Sequence, residues 1–463
     1  MAGSEKRIGP ARDALEISTQ YVEGQSLERP RTTPLSACDV WNLRTEGDWL
    51  RFEGRLPGAD GPRGYRLKDP GPIIAESHPT LVGIFELGGQ PVAQATPGGS
   101  AFPYHVFCAD DDIGPVGMAG LEDAPKSAGL APMRERTIAA LVAETLLAWQ
   151  YQDSAVLPLF YVRSESESIA RAADLSTGKA LANLGRAVEN WLAAARANEC
   201  AAELSAIIVD FAGDDLSSSA DEYANASRAV FDALQRQALG DRLARAPRLL
   251  TIFESGAHYP VREVIIEGQT QLALFPGAHD LIFAAPGYMF ALDVEGEGWL
   301  SEKGRLHKAE MLAAALTYAP RAANHAAAQP PSETWHCPMP VLADWKDGAI
   351  EVTCRAIGEL VLDRSDPFAA GEGLGFKILT DDGALPVADV EISSRDKRAL
   401  RISCAQKPPS GARLAYACGA PAGLSRRYPA NAGALRDTWD MLSADGATLH
   451  RWAYPACLPI AGL

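Results

Sequence analysis

Between residues 134 and 316 short apolar runs alternate with longer amphipathic stretches, and few folds accommodate that alternation. Helical periodicity covers Arg134 to Tyr151, Thr177 to Asn198, Ser219 to Leu239, Pro260 to Leu274 and Ser301 to Leu316. Strand-like runs lie between them at Ala155–Val162, Leu204–Phe211, Leu249–Phe253 and Asp280–Ala284. Strands apolar along their whole length must be covered on both faces, and strands separated by long helices pair in parallel. The spacing therefore predicts an α/β domain: a parallel sheet flanked by helices.

The flanking segments read differently. Leu15 to Val22 is a short β-prone run, expected as the sheet's first strand, and it ends at Gly24-Gln25-Ser26. Residues 32–132 are dense in Gly and Pro (Pro57-Gly58, Asp60-Gly61-Pro62, Pro97-Gly98-Gly99) and are expected as an irregular insertion. Apolar pieces such as Leu81-Val82-Gly83-Ile84-Phe85 interrupt it. Residues 327–332 (Ala-Ala-Gln-Pro-Pro-Ser) read as a linker between a domain at 1–326 and a second at 333–463. In the second, short β-like runs such as Ile350–Cys354, Gly375–Leu379 and Ala399–Cys404 recur between turn residues, the spacing of a β-sandwich.

Composition narrows the partners. A net charge of −16 argues against a nucleic-acid backbone or an anionic membrane surface. No run approaches the roughly 20 apolar residues of a membrane span, so no membrane insertion is expected. The polar stretch Met1 to Arg12 has no signal-peptide pattern, so synthesis in the cytoplasm without a signal peptide is expected. The eight cysteines have no metal-ligand spacing and read as free thiols of a reducing compartment. A disulfide among the five from Cys337 onward is the alternative. No metal or cofactor is expected.

In an open parallel sheet, chemistry sits beyond the carboxyl ends of the strands. The stretches there are Gly24-Gln25-Ser26, Glu165-Ser166-Glu167-Ser168-Ile169, Gly213-Asp214-Asp215-Leu216 and Pro286-Gly287-Tyr288. The last is Gly298-Trp299-Leu300-Ser301-Glu302-Lys303-Gly304, ahead of the final helix. In this order they resemble the blocks of the SGNH (GDSL-like) hydrolase family, in its phage-type carbohydrate O-acetylesterase-like branch. There the nucleophile sits in a Gly-Gln-Ser turn, and the base in Asp-x-x-His-Leu-Ser-x-x-Gly. Ala434-Leu435-Arg436-Asp437-Thr438 and Leu449-His450-Arg451-Trp452 are similar to the branch's closing β-domain.

The departures fall on the chemistry. The alignment puts Trp299 at the histidine and Gly296 at the aspartate. A serine hydroxyl needs a base, and an indole N–H cannot accept a proton. Glu165 and Ser166 stand where an oxyanion hole favours glycine. The resemblance thus implies an inherited site with no intact catalytic set and a vestigial Ser26. The ligand-binding residues it implies are Gln25, Ser26, Ser168, Asp214, Tyr288 and Trp299. For Asp214 and Asp215 a solvated helix start is the competing reading. For Trp299, ring stacking on a sugar and ordinary packing both stand.

The function implied is recognition without turnover: a spike or fibre on a phage-like particle, such as a gene transfer agent, that holds a bacterial capsular polysaccharide. Its other partners would be capsid or tail proteins of the particle, and further copies of the chain. One alternative is an active O-acetylesterase using Ser26 with a relocated base, His307, His258 or His279. The other is a purely structural particle protein.

Overall fold

The computed structural model describes residues 16–19, 31–34, 38–59, 61–76, 79–151, 156–167, 171–211, 218–240, 247–255, 263–294, 299–318, 335–419 and 427–463. Gln25, Ser26, Ser168, Asp214 and His258 lie outside them.

The first described elements are β1 (Glu16–Thr19) and β2 (Arg31–Pro34), which pair antiparallel. An antiparallel meander follows: β3 (Asp39–Glu46), β4 (Trp49–Arg55), β5 (Arg63–Leu67) and β6 (Ile73–Ala75). Phe52, Leu56, Tyr65 and Ile73 give it a small core closed by Tyr104. Then comes β7 (Thr80–Gly88), followed by β8 (Thr96–Pro97), β9 (Val106–Ala109), β10 (Leu130–Pro132) and β11 (Glu135–Arg136). From there strands and helices alternate: α1 (Ile138–Tyr151), β12 (Leu159–Ser166), α2 (Ala172–Leu175), α3 (Lys179–Ala197), β13 (Ala201–Asp210) and α4 (Ala220–Ala233). β14 (Arg248–Phe253), α5 (Glu263–Leu274), β15 (Leu281–Pro286) and α6 (Glu302–Tyr318) complete the series.

The main sheet runs β10-β9-β12-β7-β13-β14-β15. Every neighbouring pair is parallel except β9 with β10. Successive residues of β7 point to opposite faces and find different cores. Ile84 joins Val162, Ile208 and Leu250 beneath α1 and α6. Phe85 joins Tyr161 and Ile207 beneath α3, α4 and α5, with the Trp191 ring edge-on to it.

Two expectations need correction. The sheet's first central strand is β7, not the run at Leu15–Val22, whose strand pairs with β2 in a separate two-stranded sheet. The physical reason is burial. β7 is Thr-Leu-Val-Gly-Ile-Phe-Glu-Leu-Gly and almost wholly buried, as a strand covered on both faces requires, whereas β1 is Glu-Ile-Ser-Thr with one large apolar side chain. The stretch 32–132 is accordingly no irregular insertion: it carries the meander and the sheet's middle.

The C-terminal region is strand-rich: β16 (Met339–Lys346), β17 (Ala349–Arg355), β18 (Leu360–Leu362), β19 (Phe376–Thr380), β20 (Gly383–Pro386), β21 (Asp389–Ile392), β22 (Ala399–Ser403), β23 (Arg413–Tyr416), β24 (Leu435–Leu442), β25 (Thr448–Trp452) and β26 (Ala456–Ala461). An eight-stranded sheet, β20-β19-β23-β26-β16-β17-β22-β21, shares its core with the three-stranded sheet β18-β24-β25. The region closes the edge of β15, where unpaired strand carbonyls would otherwise face outward. Trp335 Nε1 donates to the Ala284 carbonyl at 2.9 Å, and the Tyr454 hydroxyl donates to that of Phe283. All eight cysteines carry free thiols.

Candidate functional site

Following the chain, the sheet first grows from β7 to the β12 side, then reverses to β13. That reversal is a topological switch point at the carboxyl ends of β7 and β13, where a crevice is the usual ligand position in open α/β sheets. The two strand tips come unusually close. The Gly89 N–H donates to the Asp210 carbonyl at 2.9 Å, and a Cβ on Gly88 would overlap that same carbonyl. Beyond them Gly89-Gln90-Pro91 enters a 3-10 turn, Gln90–Ala93, with proline at its start. Proline suits this position because its fixed φ is helical and it has no N–H to leave unpaired. A Gly-Gln turn thus does follow the first central strand, and its third residue has no hydroxyl.

Charged groups are buried around these tips. Lys308 of α6 donates to the Asp210 carboxylate, and both side chains are nearly inaccessible. Burial alone would push the Lys308 ammonium down. Asp210 at contact distance, with Glu254 and Glu86 further off, more than reverses this and holds it above the usual lysine range. Glu86, inside β7, accepts the hydroxyl proton of Ser164 on β12. Burial nonetheless raises its carboxyl, against the pull of Ser164, Lys308 and Arg305. Arg305, one turn before Lys308, donates to the Arg136 carbonyl, and burial lowers its guanidinium. An ammonium held charged cannot take a proton from a nucleophile, so Lys308 serves as a counter-ion rather than a base.

The tip of β12 is also closed. Arg163 donates to Glu165 at 2.7 Å and to Asp111 at 3.1 Å, all three side chains being buried. Burial raises the Glu165 carboxyl, and the Arg163 charge opposes that rise. A Cβ on Gly117 would overlap Glu165, so the loop before β10 lies flat on the pair. Glu165, expected to face a developing oxyanion, is instead engaged by Arg163. Glu167 donates its N–H to the Gly88 carbonyl at 2.9 Å, and its carboxylate accepts from Ala180 N–H at 2.7 Å. That carboxylate meets the first turn of α3, where the helix dipole favours an anion.

The histidines weighed as substitute bases are occupied elsewhere where the structure describes them. His307 lies 3.2 Å from Asp445 in the C-terminal region, and Lys303 shares that carboxylate at 2.9 Å. His279 pairs with Asp232 at 3.1 Å, at the amino end of β15 and thus across the sheet from the crevice.

Of the expected ligand residues, Tyr288 is 0% exposed. Its hydroxyl donates to Ala453 at 2.7 Å and meets the Tyr416 hydroxyl at 3.1 Å, so it joins the two halves of the chain and presents no face to a ligand. Trp299 is half-buried, and its carbonyl accepts from Asp293 N–H at 2.7 Å across a small bridge that pairs Leu292 with Leu300. Ser301 accepts from Gly304 N–H at 3.1 Å through its hydroxyl, capping α6. A Cβ on Gly304 would overlap the Ala291 carbonyl. Sequence reasoning missed Glu86, Lys308 and Gly88. The legible signal was a carboxylate inside the apolar run Leu81–Leu87, which a covered strand tolerates only when it is paired.

No family model matches the chain, and no curated protein matches it. Among solved structures the chain is similar to a carbohydrate acetylesterase from Xanthomonas citri, at 13% identity and a TM-score of 0.46, over 86% of this chain and 85% of that one. It is similar to NanS at 10% identity and a TM-score of 0.37, over 52% of this chain and 98% of that one. It is also similar to a protein from Arabidopsis thaliana, at 10% identity and a TM-score of 0.35, over 51% and 97%.

Proposed function

We propose that this is an SGNH-like protein without hydrolytic turnover, which binds a bacterial surface polysaccharide as a spike or fibre of a phage-like particle, such as a gene transfer agent. One observation carries the reading. Of the residues matching the family's final block, Ser301 and Gly304 hold the start of α6 against Ala291, a structural task independent of chemistry. The position that would supply the base is Trp299. Pro91 supports the same conclusion, since it follows Gly89-Gln90 at the tip of the central strand. The elements that build the fold are kept, and those that would move a proton are replaced. Holding a glycan requires only differential binding, which needs neither a nucleophile nor a base.

The test has two arms. Purified protein is offered p-nitrophenyl acetate and O-acetylated oligosaccharides, and no turnover above buffer alone is expected, from it or from Ser26→Ala. Ser26-dependent hydrolysis would overturn the reading. Binding to encapsulated and capsule-stripped cells is then compared by flow cytometry. Preferential binding to encapsulated cells, weakened by Trp299→Ala, is expected; equal binding to both would point to a structural particle protein or to another receptor.

A further inference from the structure

A second cleft lies at the amino ends of β14 and β15, across the sheet from the crevice. Its volume is about 470 Å³, and its lining includes Arg248, Leu274, Pro276, His336, Met339 and Arg355. That volume is in the range of small-molecule sites, which run to several hundred Å³ (about 300–1,000). It forms where the strand-rich region meets the β15 edge, so it draws on residues more than 100 positions apart.

The polar groups are sharply differentiated. Arg248 is engaged: it donates to Asp280 at 3.3 Å and to the Leu316 carbonyl at 3.2 Å. The side chain of Arg355, half-buried at the end of β17, has no hydrogen-bond or ion-pair partner among the described residues. A guanidinium so placed at a cleft wall presents a planar fork of donors that matches a carboxylate. His336 lies beside it. Its Nδ1 is 3.2 Å from the Cys337 carbonyl, so in the neutral ring Nδ1 carries the proton and Nε2 is left as an acceptor. Burial, with the charges of Arg355, Arg451 and Arg398, pushes this imidazole down to about 4, so it is neutral at neutral pH. Leu274, Pro276 and Met339 supply an apolar wall.

From this juxtaposition we infer that the cleft binds a carboxylated sugar residue, its carboxylate on Arg355, a hydroxyl donated to His336 Nε2 and an apolar ring face against Leu274, Pro276 and Met339. A neutral sugar lacks the anion, and a simple carboxylate lacks the hydroxyl and the ring face. The inference does not rest on the preceding reading, because the site lies at the opposite end of the strands and involves neither Trp299 nor Ser26.

The test uses the full-length protein with sodium glucuronate, glucose and sodium acetate at matched ionic strength, followed by calorimetry and ligand-observed NMR. Glucuronate is expected to bind, with glucose and acetate each at least tenfold weaker. Arg355→Ala should lower glucuronate affinity at least tenfold, and His336→Phe should reduce the preference over acetate. Arg355→Gln, closer in size, serves if the alanine variant does not fold. Glucuronate that fails to bind, or binds both Arg355 variants as it binds the parent protein, overturns the proposal. Because cell binding and ester turnover are not read here, failure of this site and failure of the crevice reading remain separable.

Discussion

Lys308 and Asp210 form a buried ion pair that ties the second turn of α6 to the tip of β13, at the point where the sheet reverses direction. The pair places matched charge at the strand tip. Glu86 and Glu254 also feel the ammonium, so one cation compensates several carboxylates. Removing it should therefore cost more than the mutual attraction of a single pair. Lys308→Met is expected to destabilise the fold by roughly 3–5 kcal/mol, the usual cost of leaving a buried charge uncompensated. Lys308→Met combined with Asp210→Asn should cost clearly less than the sum of the single variants. Urea denaturation midpoints measure this; additive losses would show that the pair is not coupled.

Gly88 and Gly304 make a second prediction. At both, an added Cβ would overlap a backbone carbonyl, Asp210 in one case and Ala291 in the other, and a backbone carbonyl has no rotamer to escape into. Gly88→Ala and Gly304→Ala should each cost about 3 kcal/mol or more, the upper part of the range for overpacking. Gly99 is the control: its Cβ would meet only the Met133 carbonyl at 3.5 Å, ordinary contact. Gly99→Ala should stay within about 1 kcal/mol of the parent protein. Thermal unfolding of the three variants side by side checks the order.

These residues also show what the sequence made legible. The helices at Thr177–Asn198 and Ser301–Leu316 and the strands at Leu204–Phe211 and Leu249–Phe253 were visible because a covered parallel sheet writes itself as continuous apolar runs. β7 was hidden for a local reason. Gly83 interrupts its run, and Gly88-Gly89 ends it amid other Gly and Pro, so a central strand resembled a loop piece. Gly83 is needed there: a Cβ would press on Phe85, Trp191 and Leu204. The Gly89-Gln90 turn at the tip of β7 was hidden with it. The Lys308–Asp210 pair joins positions 98 apart, and no periodicity reveals such a contact.

At the seam between the α/β part and the strand-rich region, the Tyr416 hydroxyl accepts from the Leu435 N–H at 3.0 Å and lies 3.1 Å from the Tyr288 hydroxyl. Tyr416→Phe leaves that buried N–H without its partner. A loss of roughly 1–3 kcal/mol is expected, the cost of an unsatisfied buried donor. Tyr288→Phe instead removes the donor to the Ala453 carbonyl, and under-satisfied carbonyls are better tolerated. The Tyr416 variant should therefore be the weaker of the two in guanidinium denaturation. The reverse order would place the main support of the seam at Ala453.

His105 supplies a pH dependence whose sign can be worked out. Its Nδ1 lies 3.2 Å from the Pro158 carbonyl, and its Nε2 is buried with no partner among the described residues. Burial, aided by the charge of Arg63, lowers the imidazole from 6.5 to about 4. Between those values the unfolded chain binds a proton that the folded protein does not. Stability from this group is therefore complete above the unfolded value and declines as pH falls through the window. The slope for one full proton is about 1.4 kcal/mol per pH unit. His336 acts in the same direction. Glu86, Glu144 and Glu165, whose carboxyls burial raises, act in the opposite one, because the folded protein retains their protons longer. The total slope mixes these terms, so the informative quantity is a difference between proteins. His105→Phe should unfold with a shallower loss of Tm than the parent protein between pH 6.5 and 4.5, the two converging toward the acid end. Parallel curves across that interval would show that His105 titrates alike in the folded and unfolded states.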